Sequence, residues 1–345
     1  MNYLARIKKW VGTLDEKQAC LIEEPEDLFY LTGLQLSAGS LLGSATGAHL
    51  FVDGRYFAKA KETAPCPVSL SDEKSLKAAF HPFKKIAFDS AFITYQRFLT
   101  LQDRFSEPKW IPVPSPIKHF RLHKDGHEIE LLKKAARLTW EGYQKILQIL
   151  KEGITESEVA LEFEIFCRRK GASGLSFESI IAFGENSAYP HYRAGSAKLK
   201  KNQIVLIDIG AVVDRYHGDM TRVFFFGTPD PELSRFHRIV KNAQQKAVSH
   251  IKPGIKLGEL DRIVREEFRK ENVEELYTHS LGHGIGLETH EYPRIKFDGE
   301  DKDLILKPGM IFTVEPGLYK PGLGGIRYED TVCVTETGCE NFYPQ

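Results

Sequence analysis

The sequence has no net charge: Lys and Arg number 47 together, and Asp and Glu also number 47. It has no long basic block and no basic patch interleaved with aromatics, so nothing suggests a nucleic-acid partner. Cysteine is scarce. The five present (Cys20, Cys66, Cys167, Cys333, Cys339) are scattered, odd in number and never spaced as CxxC. That argues against a disulfide framework or a zinc-thiolate site and for a reducing cytoplasm. No uninterrupted apolar run reaches the ~20 residues of a membrane helix. The stretch from Met1 to Lys17 is basic and amphipathic but lacks an apolar core and a cleavage site. It does not read as a signal peptide. What is there is ordinary soluble composition, 42% hydrophobic and 27% charged over 345 residues. A chain of that length is expected to form two domains.

Residues 1–120 alternate short strands and helices. Ala19 to Ile22 and Lys85 to Phe88 are strand candidates. Glu24 to Tyr30, with Pro25 near its start, and Thr94 to Phe105 are helix candidates. Ser40 to Leu42 and His49 to Val52 flank a turn-like Gly43 to Gly47 and suggest a hairpin. Asp53-Gly54 turns the chain into a further helix. This describes a small α/β domain with no catalytic cluster. The proline-rich Trp110 to Pro116 reads as a linker or a last strand leading into one. Residues 121–345 open with a long helix from Gly126 to Leu150, N-capped by Asp125. Thr155 with Glu158 forms a capping-box pattern for the next helix, which Gly171 ends. A strand follows around Ser179 to Phe183. Pro231 to Ile251 and Leu257 to Lys270 are two more helices, and strand-rich sequence follows them.

Between these elements lies Ile204 to Arg222, IVLIDIGAVVDRYHGDMTR. Asp208 interrupts an apolar run that reads as a buried strand. A hairpin centred between Val213 and Asp214 would set Asp208 directly opposite Asp219, with Cβ atoms ~5 Å apart. Two carboxylates that close call for a shared proton or a cation.

A short repeat surrounds this hairpin. Lys151-Glu-Gly153-Ile154 with Glu158 matches Lys252-Pro-Gly254-Ile255 with Glu259. Two explanations are open: a chance likeness of loop–helix junctions, or a duplicated unit with pseudo-two-fold symmetry. Duplication predicts a second acidic strand pair. Met310 to Glu315 ends an apolar strand in an acid, and Gly325 to Val334 carries Glu329. Their midpoint is Gly322, inside a Gly-Pro-rich loop, so Glu315 and Glu329 would also oppose each other. Four converging carboxylates need cations. His279, His283 and His290 cluster in the Gly-rich segment HSLGHGIGLETH, and His191 precedes the first hairpin. Carboxylates from different strands plus one imidazole suit two metals ~3.5–4 Å apart. Oxygen-rich ligation favours manganese or a similar divalent ion.

The blocks IDIG at Asp208, GDMTR at Asp219, SLGHGIGLETHEYP around His283, TVEPG at Glu315 and GIRYEDT at Glu329 resemble the pita-bread metallopeptidases. That family contains methionine aminopeptidase, aminopeptidase P and prolidase. In residues 1–120, EPEDLFYLTG at Glu24, SAGSLL at Ser37 and DGRY at Asp53 resemble the N-terminal domain shared by prolidase, aminopeptidase P and creatinase. Methionine aminopeptidases lack that domain, and creatinase lacks the metal ligands. The implied fold is α/β (α+β): a small creatinase-type domain, then a pseudo-two-fold pita-bread catalytic domain. The implied ligands are Asp208, Asp219, His283, Glu315 and Glu329. They would hold two divalent ions, manganese first, with cobalt or zinc as alternatives. The implied activity is hydrolysis of the Xaa-Pro bond at the N-terminus of short peptides. Glu315 would orient or deprotonate the nucleophile. His191 would sit near the substrate amine or leaving proline, and His290 near the oxyanion. His279 matches a further active-site histidine, and Arg327 an arginine that backs the ligands and is expected to bind substrate. Arg294 resembles the prolidase arginine that grips a dipeptide carboxylate, although a loop arginine is otherwise simply solvated. Xaa-Pro dipeptidase is favoured, with aminopeptidase P on longer peptides as the alternative and a non-catalytic binding module as the different class. A cytoplasmic homodimer, with no membrane or nucleic-acid partner, completes the expectation.

Overall fold

The amphipathic start of the chain is a helix, α1 (Tyr3–Val11), capped by the Asn2 side chain on the Ala5 N–H at 3.0 Å. It buries Ile7, Trp10 and Val11. The computed structural model describes residues 1–344. They fall into two units, Met1–Arg121 and from Leu122 onward.

In the first unit, β1 (Gln18–Ile22), β2 (Ser40–Ser44), β3 (Gly47–Val52), β4 (Val68–Leu70), β5 (Lys85–Asp89) and β6 (Lys109–Val113) form one mixed sheet, in the order β4-β3-β2-β1-β5-β6. Helices α2 (Pro25–Thr32), α3 (Gly54–Thr63), α4 (Glu73–Phe80), α5 (Tyr95–Arg104) and α6 (Lys118–Arg121) complete it. Pro25 occupies the first turn of α2, where its missing N–H costs nothing. Asp53 and Thr94 cap α3 and α5. The β2–β3 turn is tighter than the glycines suggest. Gly43 belongs to the strand, because a Cβ there would lie 2.3 Å from the Trp10 ring. Leu21, Phe51, Phe80, Ile86 and Trp110 form the core.

The second unit opens with α7 (Gly126–Ile149) and α8 (Glu156–Arg169), each begun by a complete capping box, Asp125 with Glu128 and Thr155 with Glu158. The strands β7 (Gly174–Leu175), β8 (Ile180–Phe183), β9 (Gln203–Ile209), β10 (Ala211–Val213), β11 (Tyr216–His217) and β12 (Met220–Phe226) follow. Next come α9 (Pro231–Ser249) and α10 (Leu257–Lys270). The chain ends in β13 (Gly282–Gly284), β14 (Glu291–Ile295), β15 (Ile311–Val314), β16 (Gly317–Lys320), β17 (Gly324–Arg327), β18 (Asp330–Val334) and β19 (Cys339–Asn341). The short repeat is a duplication in three dimensions. Gly153 N–H donates to Leu199 O and Leu199 N–H to Ile154 O, both at 2.8 Å. In the second half Gly254 N–H donates to Leu306 O at 3.0 Å and Leu306 N–H to Ile255 O at 2.8 Å. Gly153 and Gly254 turn the chain with φ of 89° and 91°. Each half then supplies an antiparallel hairpin with a third strand beside it: β12-β9-β8 in one and β18-β15-β13 in the other.

The α7–α8 contact is close enough to test. Gly142 of α7 is buried, and a Cβ there would lie 2.4 Å from the ring of Phe163, itself fully buried on α8. Gly142→Ala gains ~1 kcal/mol of helix propensity. Overpacking costs ~1–3 kcal/mol. We predict a net loss of stability in urea unfolding; a stabilised variant would refute the packing.

Candidate metal centre

Asp208 lies near the end of β9, in a ladder where every neighbour is buried. The register pairs it with Thr221, not Asp219. The expected hairpin centre is therefore corrected by one residue. The turn is Asp214-Arg215, both with positive φ (47° and 72°), between Val213 and its partner Tyr216. Two positive φ values make the tight turn that matches strand twist. The sequence lacks the Asn-Gly or Asp-Gly signal that usually marks it. Because side chains alternate, the two-residue offset leaves Asp219 on the same face as Asp208, as a diagonal neighbour. Its backbone is held independently: its N–H donates to Tyr343 OH at 3.1 Å, and its carbonyl accepts from Thr331 Oγ1 at 3.1 Å.

The second hairpin keeps the register read from the sequence. Val314 pairs with Asp330 and Gly317 with Arg327, so Glu315 and Glu329 face each other between the two ladders. His283 comes from β13 alongside; its N–H donates to Thr313 Oγ1 at 3.1 Å. The His283 Nδ1 faces the Gly284 carbonyl at 3.0 Å, so Nδ1 carries the proton and Nε2 presents a lone pair. That Nε2 lies 3.6 Å from both Asp219 Oδ2 and Glu315 Oε1.

A lone pair aimed at two carboxylates is repulsive unless a cation lies between them. Other observations agree. Ligand atoms of Asp219, His283 and Glu329 lie within 4.8 Å of one another. Asp208 Oδ1 is buried without a hydrogen-bond partner among the described residues. Burial, then Glu329, Asp208 and Glu315, raises Asp219 well above the carboxylate range. Burial and Glu329 do the same to Glu315. Glu329 is pushed up to about 8 by burial and Asp208. Burial holds His283 down to about 3, which keeps it a neutral donor. The donor set fits a divalent metal, as hard oxygen ligands with one imidazole should.

All ten residues singled out in the sequence line one cavity of about 560 Å³: His191, Asp208, Asp219, His279, His283, His290, Arg294, Glu315, Arg327 and Glu329. His191 and His290 are exposed there, and the His290 ring lies 4.2 Å from that of His283. Burial and then His191 lower His290, which favours its neutral form. Arg294 is exposed, and among the described residues only its backbone makes a hydrogen bond, to Asp301. Two placements sharpen the sequence reading. Arg327 is buried with every nitrogen engaged. NH2 donates to Asp208 Oδ2 at 2.5 Å, Nε to Thr221 Oγ1 at 3.1 Å, and NH1 to Tyr319 OH at 2.7 Å. Through Asp208 and Thr221 it supports the ligands from behind. His279 is also engaged at both nitrogens. Nδ1 donates to Ser280 O at 2.8 Å, and Nε2 accepts from Tyr319 OH at 2.9 Å. Burial holds it down to about 4. As placed, it supports Tyr319 and Arg327 rather than offering a free nitrogen to the cavity.

Three contributors escaped the sequence reading. Thr221 donates to Glu329 Oε2 at 2.7 Å while receiving Arg327. Tyr319 joins Arg327 to His279. Glu291 accepts the Leu287 N–H at 2.7 Å and pairs with buried Lys124 at 3.1 Å, fixing the loop that carries His290. Thr221 and Glu291 could have been found, since they sit inside the GDMTR and SLGHGIGLETHEYP blocks. Nothing local marks Tyr319.

The chain is similar to known proteins along nearly its whole length. The chain matches metallopeptidase family M24 over residues 130–336 and the creatinase/prolidase N-terminal domain over residues 5–123. An Xaa-Pro dipeptidase of Pyrococcus furiosus is 32% identical, over 97% of this chain and 96% of its own. The solved Xaa-Pro dipeptidase from Bacillus anthracis superposes with a TM-score of 0.95 at 32% identity, covering 100% of this chain and 99% of its own. The X-Pro aminopeptidase from Thermotoga maritima superposes with a TM-score of 0.89 at 33% identity, over 99% and 98%.

Proposed function

This chain belongs to metallopeptidase family M24, and from that premise we infer that it is an Xaa-Pro dipeptidase, hydrolysing the bond before proline in a free dipeptide. The observation that carries the dipeptide reading is Arg294: an exposed guanidinium with no hydrogen-bond or ion-pair partner among the described residues, in the cavity that holds the acids. A planar fork of donors suits a free carboxylate, and a dipeptide places one on the proline itself.

Asp208, Asp219, His283, Glu315 and Glu329 would hold two divalent ions. Four carboxylates against the buried guanidinium of Arg327 leave three negative charges, which two such ions neutralise with one charge to spare. Manganese suits these donors best, with cobalt or zinc as alternatives. When bound, the ions supply Lewis acidity, polarising the scissile carbonyl and making a water acidic enough to attack near neutral pH. Glu315 is the acid best placed to take that water's proton. Its side chain is 18% exposed, against 5% for Asp219. Neutral His290 offers an N–H to the developing oxyanion. The prolyl nitrogen carries no hydrogen and must gain one to leave. His191, exposed in the same cavity, stands ready beside the substrate amine or that nitrogen.

The deciding experiment compares Ala-Pro and Met-Pro with Ala-Pro-Ala, in manganese, cobalt and zinc. Turnover of the tripeptide alone would make the chain an Xaa-Pro aminopeptidase; no turnover would make it a binding module. Arg294→Ala should raise KM for Ala-Pro by roughly 10–100-fold with kcat little changed, as expected for a lost charged hydrogen bond of ~1.5–3 kcal/mol. The same substitution should leave Ala-Pro amide unaffected. An equal penalty on the amide would remove Arg294 from carboxylate binding.

We also place the enzyme in the cytoplasm as a homodimer. All five cysteines are unpaired, as in a reducing compartment. No helix among the described residues is long and apolar enough to cross a membrane. The dimer is carried over from the family resemblance, and sedimentation at twice 39.2 kDa would test it.

A further inference from the structure

A carboxylate is a costly thing to bury, and Glu156 is fully buried. It is the first residue of α8. Four donors meet it. Phe183 N–H and Asn186 Nδ2 reach Oε1, both at 2.8 Å. Tyr192 OH reaches Oε2 at 2.8 Å and Gly195 N–H at 3.0 Å. Two of these donors precede His191 in the chain and two follow it. The segment 183–195 therefore wraps around one carboxylate with His191 between its attachment points. Its other side is fastened to β17: Gly325 N–H donates to Ser187 Oγ at 2.8 Å, and Ser187 Oγ to Gly184 O at 2.6 Å.

The duplication shows that the fold does not need this acid. Glu156 N–H donates to Ala197 O, and Leu257 N–H donates to Leu304 O, at matching points of the two halves. Each residue opens its helix three positions after the positive-φ glycine. Leu257 is fully buried too. The same place thus accepts a leucine in the half whose loop carries His290, where Glu291 holds the loop instead. What differs is the loop, and the carboxylate goes with it.

We propose that Glu156 is the positioning residue of the His191 loop, holding segment 183–195 in the shape that presents His191 to the cavity. The proposal rests on the reading that His191 works on the substrate. A carboxylate that accepts four hydrogen bonds defines the loop from both ends, while water in its place could move with it. Among the described residues the Glu156 side chain hydrogen-bonds to none of the five ligand residues, so its effect reaches the reaction through His191.

The test uses the full chain loaded with manganese. Glu156→Leu, the residue the other half already carries there, should lower kcat/KM on Ala-Pro by roughly 10–100-fold, the range for an outer support of a working group. Manganese content should stay at the unsubstituted value, and amide exchange should speed up within 183–195 only. In a His191→Ala background the same substitution should change kcat/KM by less than about threefold, since coupled residues are not additive. Glu156→Gln keeps the volume and two of the acceptor positions, so it should fall between; it also decides the matter if the leucine variant does not fold. If His191→Ala alone is fully active, the reading beneath the proposal fails. If His191→Ala is impaired but Glu156→Leu and Glu156→Gln are not, the proposal alone fails. An equal loss in both backgrounds, or a loss of manganese, would also overturn it.

Discussion

Replacing Asp219 by asparagine should cut turnover of Ala-Pro at least about a thousandfold, a barrier increase of ~4 kcal/mol. It should also lower the manganese retained after dialysis. The change is local because the backbone of Asp219 is held by Tyr343 and Thr331, whatever its side chain does. A distinctive sign follows from the crowding of acids. Burial and three neighbouring carboxylates raise Asp219 well above its ordinary range, so its charge opposes folding when no cation is present. In chelator at pH 8, D219N should therefore be more stable than the parent; with manganese it should be less stable. Glu329 gives the matching pH dependence. Its carboxyl rises from the ordinary 4.5 to about 8, so its protonated form is favoured in the folded state. That stabilisation is full below 4.5 and lost as pH rises through about 8. Chelated protein should weaken across that window. D219N retaining a tenth of the activity with manganese bound would refute the centre as drawn.

The second large effect belongs to Arg327, and its sign is opposite in chelator. Arg327→Met removes the buried cation beside Asp208 and leaves Asp208 and Tyr319 without that donor. Breaking a buried pair on one side costs ~3–5 kcal/mol. Metal affinity should fall by roughly 10–100-fold, because an outer partner orients a ligand carboxylate. Urea unfolding in chelator should show Arg327→Met weakened where D219N is strengthened. Arg327→Lys restores the charge but cannot reach Asp208, Thr221 and Tyr319 together, so it should recover only part of the loss. Unfolding and manganese binding both unchanged in Arg327→Met would show that Asp208 does not depend on it.

These two residues differ in how visible they are from the chain alone. Asp219 was legible because a charged residue beside an apolar strand is a local anomaly. Arg327 was legible as a residue and not as a role. Its three partners come from β9, β12 and β16, and no spacing within GIRYED points to them. Glu156 is harder still. On the sequence it is one more acid in the first turn of a helix, where acids are common because of the helix dipole. Only the fold reveals that it faces inward and meets segment 183–195.

The residues alone supplied the four acids, the histidine cluster and the face each acid occupies; the family resemblance singled out His283, and only the matching hydrogen bonds of the two halves decide for duplication. Alternation along a strand is a local property, and a residue's parity survives any two-residue slip. For the second hairpin the sequence determined the register too, because a Gly-Pro-rich loop leaves one place for the reversal. For the first hairpin the register was decided in three dimensions, by the Asp214-Arg215 turn. The tertiary structure alone also decided which groups are spent on each other. Arg327 and His279 have all their nitrogens committed, while Arg294 has its guanidinium free. Those commitments are contacts between residues tens of positions apart, and they exist only once the two halves have closed around the cavity.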